Sequence, residues 1–224
     1  MTISDHFVRI WVGEHKMPEE FVRWWTTWQE HHPGAEFLTL RNFHLKQLLA
    51  EAAEIAPWAE SLLGMFHDRS GLSNLYRYLW LFLHGGIYVD TDFECLKDIR
   101  PLLGDAAVVI GEKKDALRHE RFCPAFMACV PGHPLLRALV EGISKEDVTV
   151  SLSLGSVYLT KMVDAHPEGV KVLPYQTIYP YTGREMHLGR YPRRAWEFPE
   201  AYALHHWSSK WYKPGFESLP KEGA

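Results

Sequence analysis

The stretch from Leu72 to Asp92 constrains this chain more than any other. Leu72, Leu75, Leu79, Phe82 and Leu83 recur with a period near 3.6 residues, which predicts a helix with one apolar face. Asn74, Arg77 and Leu81 fall on one stripe of that helix. Gly85 and Gly86 stop it, as a left-handed cap requires. Ile87-Tyr88-Val89 then has strong strand character. Two carboxylates, Asp90 and Asp92, follow at once. In extended chain, residues i and i+2 share a face, so the two converge on one point. Oxygen ligands converging in this way suit a hard cation such as Mg²⁺ or Mn²⁺, which takes its remaining ligands from a diphosphate and water. The spacing alone also fits a solvated strand end. The polar pair Asn74 and Arg77 on the preceding helix favours a ligand site, and chemistry on a nucleotide diphosphate is the reading that follows.

Strands and helices alternate through the first half, the pattern of a mostly parallel α/β sheet. Strands are expected at 7–12, 36–40, 87–89, 106–110, 125–130, 170–173 and 201–206. Helices are expected at 18–31, 43–55, 58–66, 72–84, 135–143 and 157–165. Ligands of such sheets lie beyond the carboxyl ends of the strands, where Trp11 and Asp90 both fall. Residues 180–200 read as a long loop able to close over a ligand, and the tail after Pro214 as poorly ordered. The length of 224 residues suits one domain, 1–224.

Composition narrows the function class. A net charge of −4 gives no reason to invoke nucleic acid. Three cysteines, Cys95, Cys123 and Cys129, cannot all pair and lack metal-site spacing, so free thiols in a reducing cytoplasm are expected. No apolar run approaches the ~20 residues that span a bilayer. The first residues lack the basic-then-apolar pattern of a signal peptide.

The motif Leu72-Ser73-Asn74-x-x-Arg77-Tyr78, followed by Gly85-Gly86-Ile87-Tyr88-Val89-Asp90-Thr91-Asp92, resembles that of the DXD-containing glycosyltransferases of family 32. More distantly the chain looks like the catalytic domain of the large clostridial glucosylating toxins. Four further segments match in family order: Ile10-Trp11-Val12-Gly13, Phe126 to Pro134, Leu154 to Thr160, and Tyr202 to Trp211. Asn74 stands where the family usually has Asp, Ser156 where it has Pro, and Lys210 where it has Ser.

The resemblance implies a GT-A fold, with a mostly parallel central sheet flanked by helices. It implies a metal-dependent, retaining transfer of a sugar from a UDP- or GDP-sugar to a hydroxyl acceptor, a saccharide or surface-glycan precursor. Asp90, Asp92 and Arg77 would be catalytic. Asp90, Asp92 and His205 would hold Mn²⁺ or Mg²⁺, with Mn²⁺ favoured by the imidazole. Trp11, Ser73, Asn74, Arg77, Gly86, Tyr88, Asp90, Ser209, Lys210 and Trp211 would contact the nucleotide-sugar, Trp11 by stacking on the base. Tyr88 is read as alternating away from Asp90, into the core, although in the family it neighbours the donor. Glu94 is read as a surface residue, and His206 as pointing away from His205. Trp24, Trp25 and Trp28 lie at helical spacing and read as packing residues.

Two rivals belong to other classes. A haloacid-dehalogenase-type phosphatase also carries Asp-x-Asp after an apolar strand, but Glu94 occupies its Thr/Val place. A decayed nucleotide-sugar-binding module would explain Asn74, Ser156 and Lys210, against the intact Asp90, Asp92, Arg77 and His205.

Overall fold

The computed structural model describes residues 2–13, 15–66, 68–150, 153–188 and 198–208. The chain begins β1 (His6–Ile10), α1 (Glu19–His31), β2 (Glu36–Leu40), α2 (Asn42–Glu51) and α3 (Ala59–Leu62), which runs on into a 3₁₀ turn. Next come α4 (Arg69–His84), β3 (Gly86–Val89), β4 (Phe93–Cys95) and α5 (Arg100–Leu103). The second half contains β5 (Val108–Leu117), β6 (Glu120–Cys129), α6 (Pro134–Gly142), α7 (Ser156–Ala165), β7 (Val170–Leu173), α8 (Tyr175–Ile178), α9 (Gly183–His187) and β8 (Ala203–His205).

The central sheet has the order β2-β1-β3-β6-β5-β7. β1 pairs in parallel with β2 and β3, β6 is antiparallel to both β3 and β5, and β7 is parallel to β5. Only β6 therefore runs against the others. A separate small sheet pairs β4 with β8, Phe93 opposite His205.

Alternation along the strands builds a core on each face. Val8, Tyr88, Ile110 and Met127 face α4, α6 and α7, while Phe7, Ile87, Val89, Val109 and Phe126 face α1, α8 and the small sheet. Covering both faces explains why all four β3 residues are buried rather than alternately wet. Trp25 and Trp28 are buried in the second core, as helical spacing predicts.

The turn from α4 into β3 depends on its two glycines. Gly85 has φ 67° and Gly86 φ 93°, both in the left-handed region. A Cβ on Gly86 would meet the His6 carbonyl at 2.6 Å. Gly86 is thus a packing position that admits β1, at the opposite end of β3 from Asp90, and it lines neither cavity described below.

Other departures have local causes. The strands expected at 106–110 and 125–130 are the inner ends of one long hairpin, β5–β6, which runs on through register shifts after Ile110 and Glu112. The charged sequence between them hid the continuation. The segment read as a loop from 180 begins with helix α9, opened by a capping box between Thr182 and Glu185; residues 189–197 and those after 208 lie outside the described residues. The three cysteines are free and buried. Among the described residues no helix is long and apolar enough to cross a membrane.

Helix α1 pins the segment that follows the carboxylates. Trp28 Nε1 donates to the Phe93 carbonyl at 3.0 Å, and Thr27 Oγ1 accepts from the Cys95 N–H at 2.8 Å. Just beyond α1, the fully buried His32 sets Nδ1 2.8 Å from the Trp28 carbonyl and accepts the Ile99 N–H on Nε2 at 3.0 Å. Only the neutral ring protonated on Nδ1 serves both partners. Burial holds the His32 pKa below its ordinary 6.5, outweighing the Trp28 carbonyl and the Asp98 carboxylate, which pull the other way. The folded pKa lies below the unfolded one, so the unfolded chain takes up the proton more readily. The stability His32 confers is complete above about pH 6.5 and is lost as pH falls toward the folded value. His32→Gln should flatten the pH dependence of the urea midpoint between about pH 7 and about pH 5 relative to the parent. Equal slopes in the two proteins would refute this assignment.

Candidate active site

Asp90 leaves the end of β3, its N–H donating to the Ala125 carbonyl at 2.8 Å. The chain then turns, the Phe93 N–H closing on the Asp90 carbonyl at 3.2 Å. The carboxylates therefore meet across a tight turn, and not along the extended segment that the i, i+2 argument assumed. Asp92 is 2% exposed. Its Oδ1 lies 3.1 Å from His205 Nε2, its Oδ2 accepts the Ser208 N–H at 2.6 Å, and its carbonyl accepts the His206 N–H at 2.9 Å. One ligand atom from each of Asp90, Asp92 and His205 lies within 4.8 Å of the others. Burial pushes the Asp92 pKa up, but the His205 ring and the Ser208 N–H more than offset it and hold the carboxyl below its usual range.

Arg77 organises the other carboxylate. Its guanidinium donates to Asn74 Oδ1 at 2.7 Å, to Tyr88 Oη at 3.1 Å and to Asp90 Oδ1 at 2.6 Å. Tyr88 also donates to Asp90 Oδ1, at 2.7 Å. Burial works against the Arg77 charge, but Asp90 reverses the balance and raises its pKa. The sequence reading of Tyr88 needs correction: residues 88 and 90 share a face, and Tyr88 is both buried and in contact with Asp90. Burial likewise drives the Tyr88 phenol well above its ordinary pKa, keeping the proton that Asp90 accepts.

The third member arrives from the far end of the chain. β8 carries His205 beside Phe93, the two rings stacked 4.8 Å apart at 11°. His206 points the other way, its Nε2 2.9 Å from Glu94 Oε2 and its ring stacked on Trp24 at 4.0 Å. Glu94, read as a surface residue, is thus part of the anchor. Trp207, with φ 48°, donates from Nε1 to the Tyr181 carbonyl at 3.0 Å. Nothing in the sequence around Glu94 or Tyr181 marked them, because their partners lie 112 and 26 residues away.

Two cavities meet at the carboxylates. A recess of about 40 Å³ is lined by Trp11, Arg69, Ser73, Tyr88, Asp90 and Asp92. A cleft of about 870 Å³ takes in Asn74, Arg77, Asp90, Asp92, His205 and Trp207. Trp11 is only 6% exposed, donates to the His15 carbonyl at 2.8 Å and packs edge-on against Phe21. It forms a wall of the recess. Ser209, Lys210 and Trp211 lie outside the described residues.

The donor set fits a divalent cation: two carboxylates and an imidazole converge, and His205 Nδ1 is buried with no hydrogen-bond partner among the described residues.

With this geometry in place, comparison with known proteins identifies the class. The PaToxG glycosyltransferase superposes with a TM-score of 0.58 at 15% identity, over 74% of this chain and 70% of that one. The galactosyltransferase LgtC, solved with donor and acceptor sugar analogues, gives 0.53 at 12% identity over 91% and 87%. The fold is that of the GT-A glycosyltransferases. Residues 18–109 match the glycosyltransferase sugar-binding region containing the DXD motif. The initiation-specific alpha-1,6-mannosyltransferase of Candida albicans is 20% identical over 64% of this chain and 42% of its own length. Inositol phosphoceramide mannosyltransferase 3 of Schizosaccharomyces pombe is 22% identical over 86% and 57%. The chain spans roughly half the length of these curated relatives. Over residues 18–109 the chain is thus similar to the DXD-containing glycosyltransferases, on the GT-A fold that the superpositions show.

Arg77→Lys should keep the charge but lose the fork that reaches three acceptors, and Arg77→Ala should leave Asp90 without its cation. Chemical denaturation should show a loss on the order of 3 kcal/mol for the alanine variant, and a Mn²⁺ titration should show weaker binding in both. Parent-like stability and metal affinity in the alanine variant would remove Arg77 from its central role.

Proposed function

We propose that this protein transfers a sugar from a nucleotide-diphosphate sugar to a hydroxyl acceptor, in a reaction that depends on a divalent cation. One observation carries the reading: Asp90, Asp92 and His205 converge where a narrow recess beside Trp11 and Ser73 opens into a broad cleft. The recess marks the Trp11 side of the site, where the family likeness puts the base, and the cleft of about 870 Å³ has the room for a nucleotide-sugar and its acceptor. Asp90, Asp92 and His205 would hold the ion, and Mn²⁺ is preferred because a neutral imidazole is among the ligands. Bound there, the ion would neutralise the departing nucleoside diphosphate as a Lewis acid.

The protein's own groups do the positioning. Arg77 and Tyr88 fix the Asp90 carboxylate, and the Ser208 N–H fixes Asp92. The acceptor oxygen forms a bond to the anomeric carbon as the bond from that carbon to the diphosphate breaks, and the hydroxyl proton leaves with the departing phosphate. The family likeness implies retention, with attack on the face that the diphosphate vacates. Lys113, Glu120, Glu146, Asp147 and Lys161 line the cleft and supply donors and acceptors for a polyol. The names of the curated relatives put a mannosyl nucleotide first among donors to test. Its buried free thiols suit a cytoplasmic setting.

The deciding experiment screens UDP- and GDP-sugars by thermal shift and by nucleotide release, with and without Mn²⁺, beside the Asp90→Ala/Asp92→Ala variant. Metal-dependent stabilisation and slow nucleotide release with one donor, both absent from the variant, is the expected result. Stabilisation without release under any condition would make the protein a binding module instead.

A further inference from the structure

Asn74 sits where the family usually carries a carboxylate, and the structure gives this amide two opposed tasks. Its Oδ1 accepts from Arg77 at 2.7 Å and its Nδ2 donates to the Ser153 carbonyl at 3.2 Å. Arginine can only donate and a carbonyl can only accept, so the partners fix which end of the amide faces which. Both ends are committed within the protein, and the side chain is 4% exposed. The loop it grips is under strain. Leu154 has φ 63°, a left-handed conformation that a side chain with a Cβ rarely adopts. One turn further along α4, Tyr78 donates to the Leu154 carbonyl at 2.7 Å. The loop leads directly into α7, and Ser153, Leu154, Gly155 and Ser156 form a wall of the cleft.

We infer that Asn74 is a positioning residue that ties the strained loop 153–155 to the Arg77–Asp90 pair, and that its amide, not a carboxylate, is what this chain requires there. The same helix then sets both the metal side of the cleft, through Arg77, and the opposite wall, through Asn74 and Tyr78. An aspartate at 74 would satisfy Arg77 but turn a carboxylate oxygen on the Ser153 carbonyl, two acceptors facing each other in a buried place. The loop would lose one of its two ties to α4.

Two variants test this with two readouts. Asn74→Asp places the repulsion at Ser153. Tyr78→Phe cuts the other tie and leaves Arg77 its acceptors. Hydrogen exchange of the backbone amides of 153–158, measured on the whole protein without ligand, should rise roughly tenfold in each variant. The kinetic arm rests on the transferase reading above: in both variants the donor KM should rise by a similar factor while kcat moves little. Unchanged exchange in both variants would overturn the inference. So would a raised donor KM in Asn74→Asp with parent-like exchange and a silent Tyr78→Phe, since Asn74 would then touch the donor itself. If the parent turns over no donor, the function reading falls, and the exchange arm still decides this one. Should Asn74→Asp not fold, Tyr78→Phe alone tests the coupling.

Discussion

A buried guanidinium needs acceptors, and much of this molecule is arranged around that need at Arg77, whose two terminal nitrogens find three while its Nε finds none among the described residues. The charge is nearly inaccessible to water, so its three hydrogen bonds are obligatory rather than supplementary. Each acceptor belongs to a different part of the architecture. Asn74 is one turn earlier on α4, Tyr88 is inside the central sheet, and Asp90 stands just past the strand end. Pairing one cation in this way fixes the angle between helix and strand and the orientation of the first carboxylate of the pair. The glycine pair between α4 and β3 makes this geometry possible, because the chain must reverse within two residues for the helix to lie over the strand it precedes.

Asp92 is governed by a different logic. Its partners are the ring of His205, the last residue of β8, and the N–H groups of His206 and Ser208 just after it, and what brings that segment home is a second set of contacts. Helix α1 holds β4 through Trp28 and Thr27, β4 pairs with β8, and His206 locks onto Trp24 of α1 and Glu94 of β4. The two carboxylates are neighbours in sequence but answer to opposite faces of the sheet. One is oriented by α4, the other by α1 and the chain's last described strand.

How far the sequence anticipated this depends on distance along the chain. The helix, the glycine stop, the strand and the carboxylate pair were legible because each is a local pattern, and the likeness to a known motif gathered His205 to them. That the sheet is mostly parallel followed from simple alternation; the order of its strands did not. The contact of Tyr88 with Asp90 was available from strand periodicity and was misread. What stayed hidden has two causes. The turn at 90–93 is set by pairing with β8, not by its own residues. The partners of Asn74 and Glu94 lie 79 and 112 residues away, and no local pattern signals a contact of that kind. Asn74 shows the limit most clearly: the sequence marks it as a departure from the family, and only the Ser153 carbonyl explains what the amide does.

The separation between Asp92 and His205 also has a meaning in time. They are 113 residues apart, and on the ribosome the carboxylates emerge on the order of ten seconds before the histidine. Helix α4 and strand β3 can form in that interval, but the Asp90–Asp92–His205 cluster cannot. A nascent or truncated chain would present two carboxylates without the imidazole and without the amides that hold Asp92. A divalent ion held by all three residues, as proposed above, would thereby be reserved for a molecule in which β8 has already reached β4, and would act as a seal on completed folding as well.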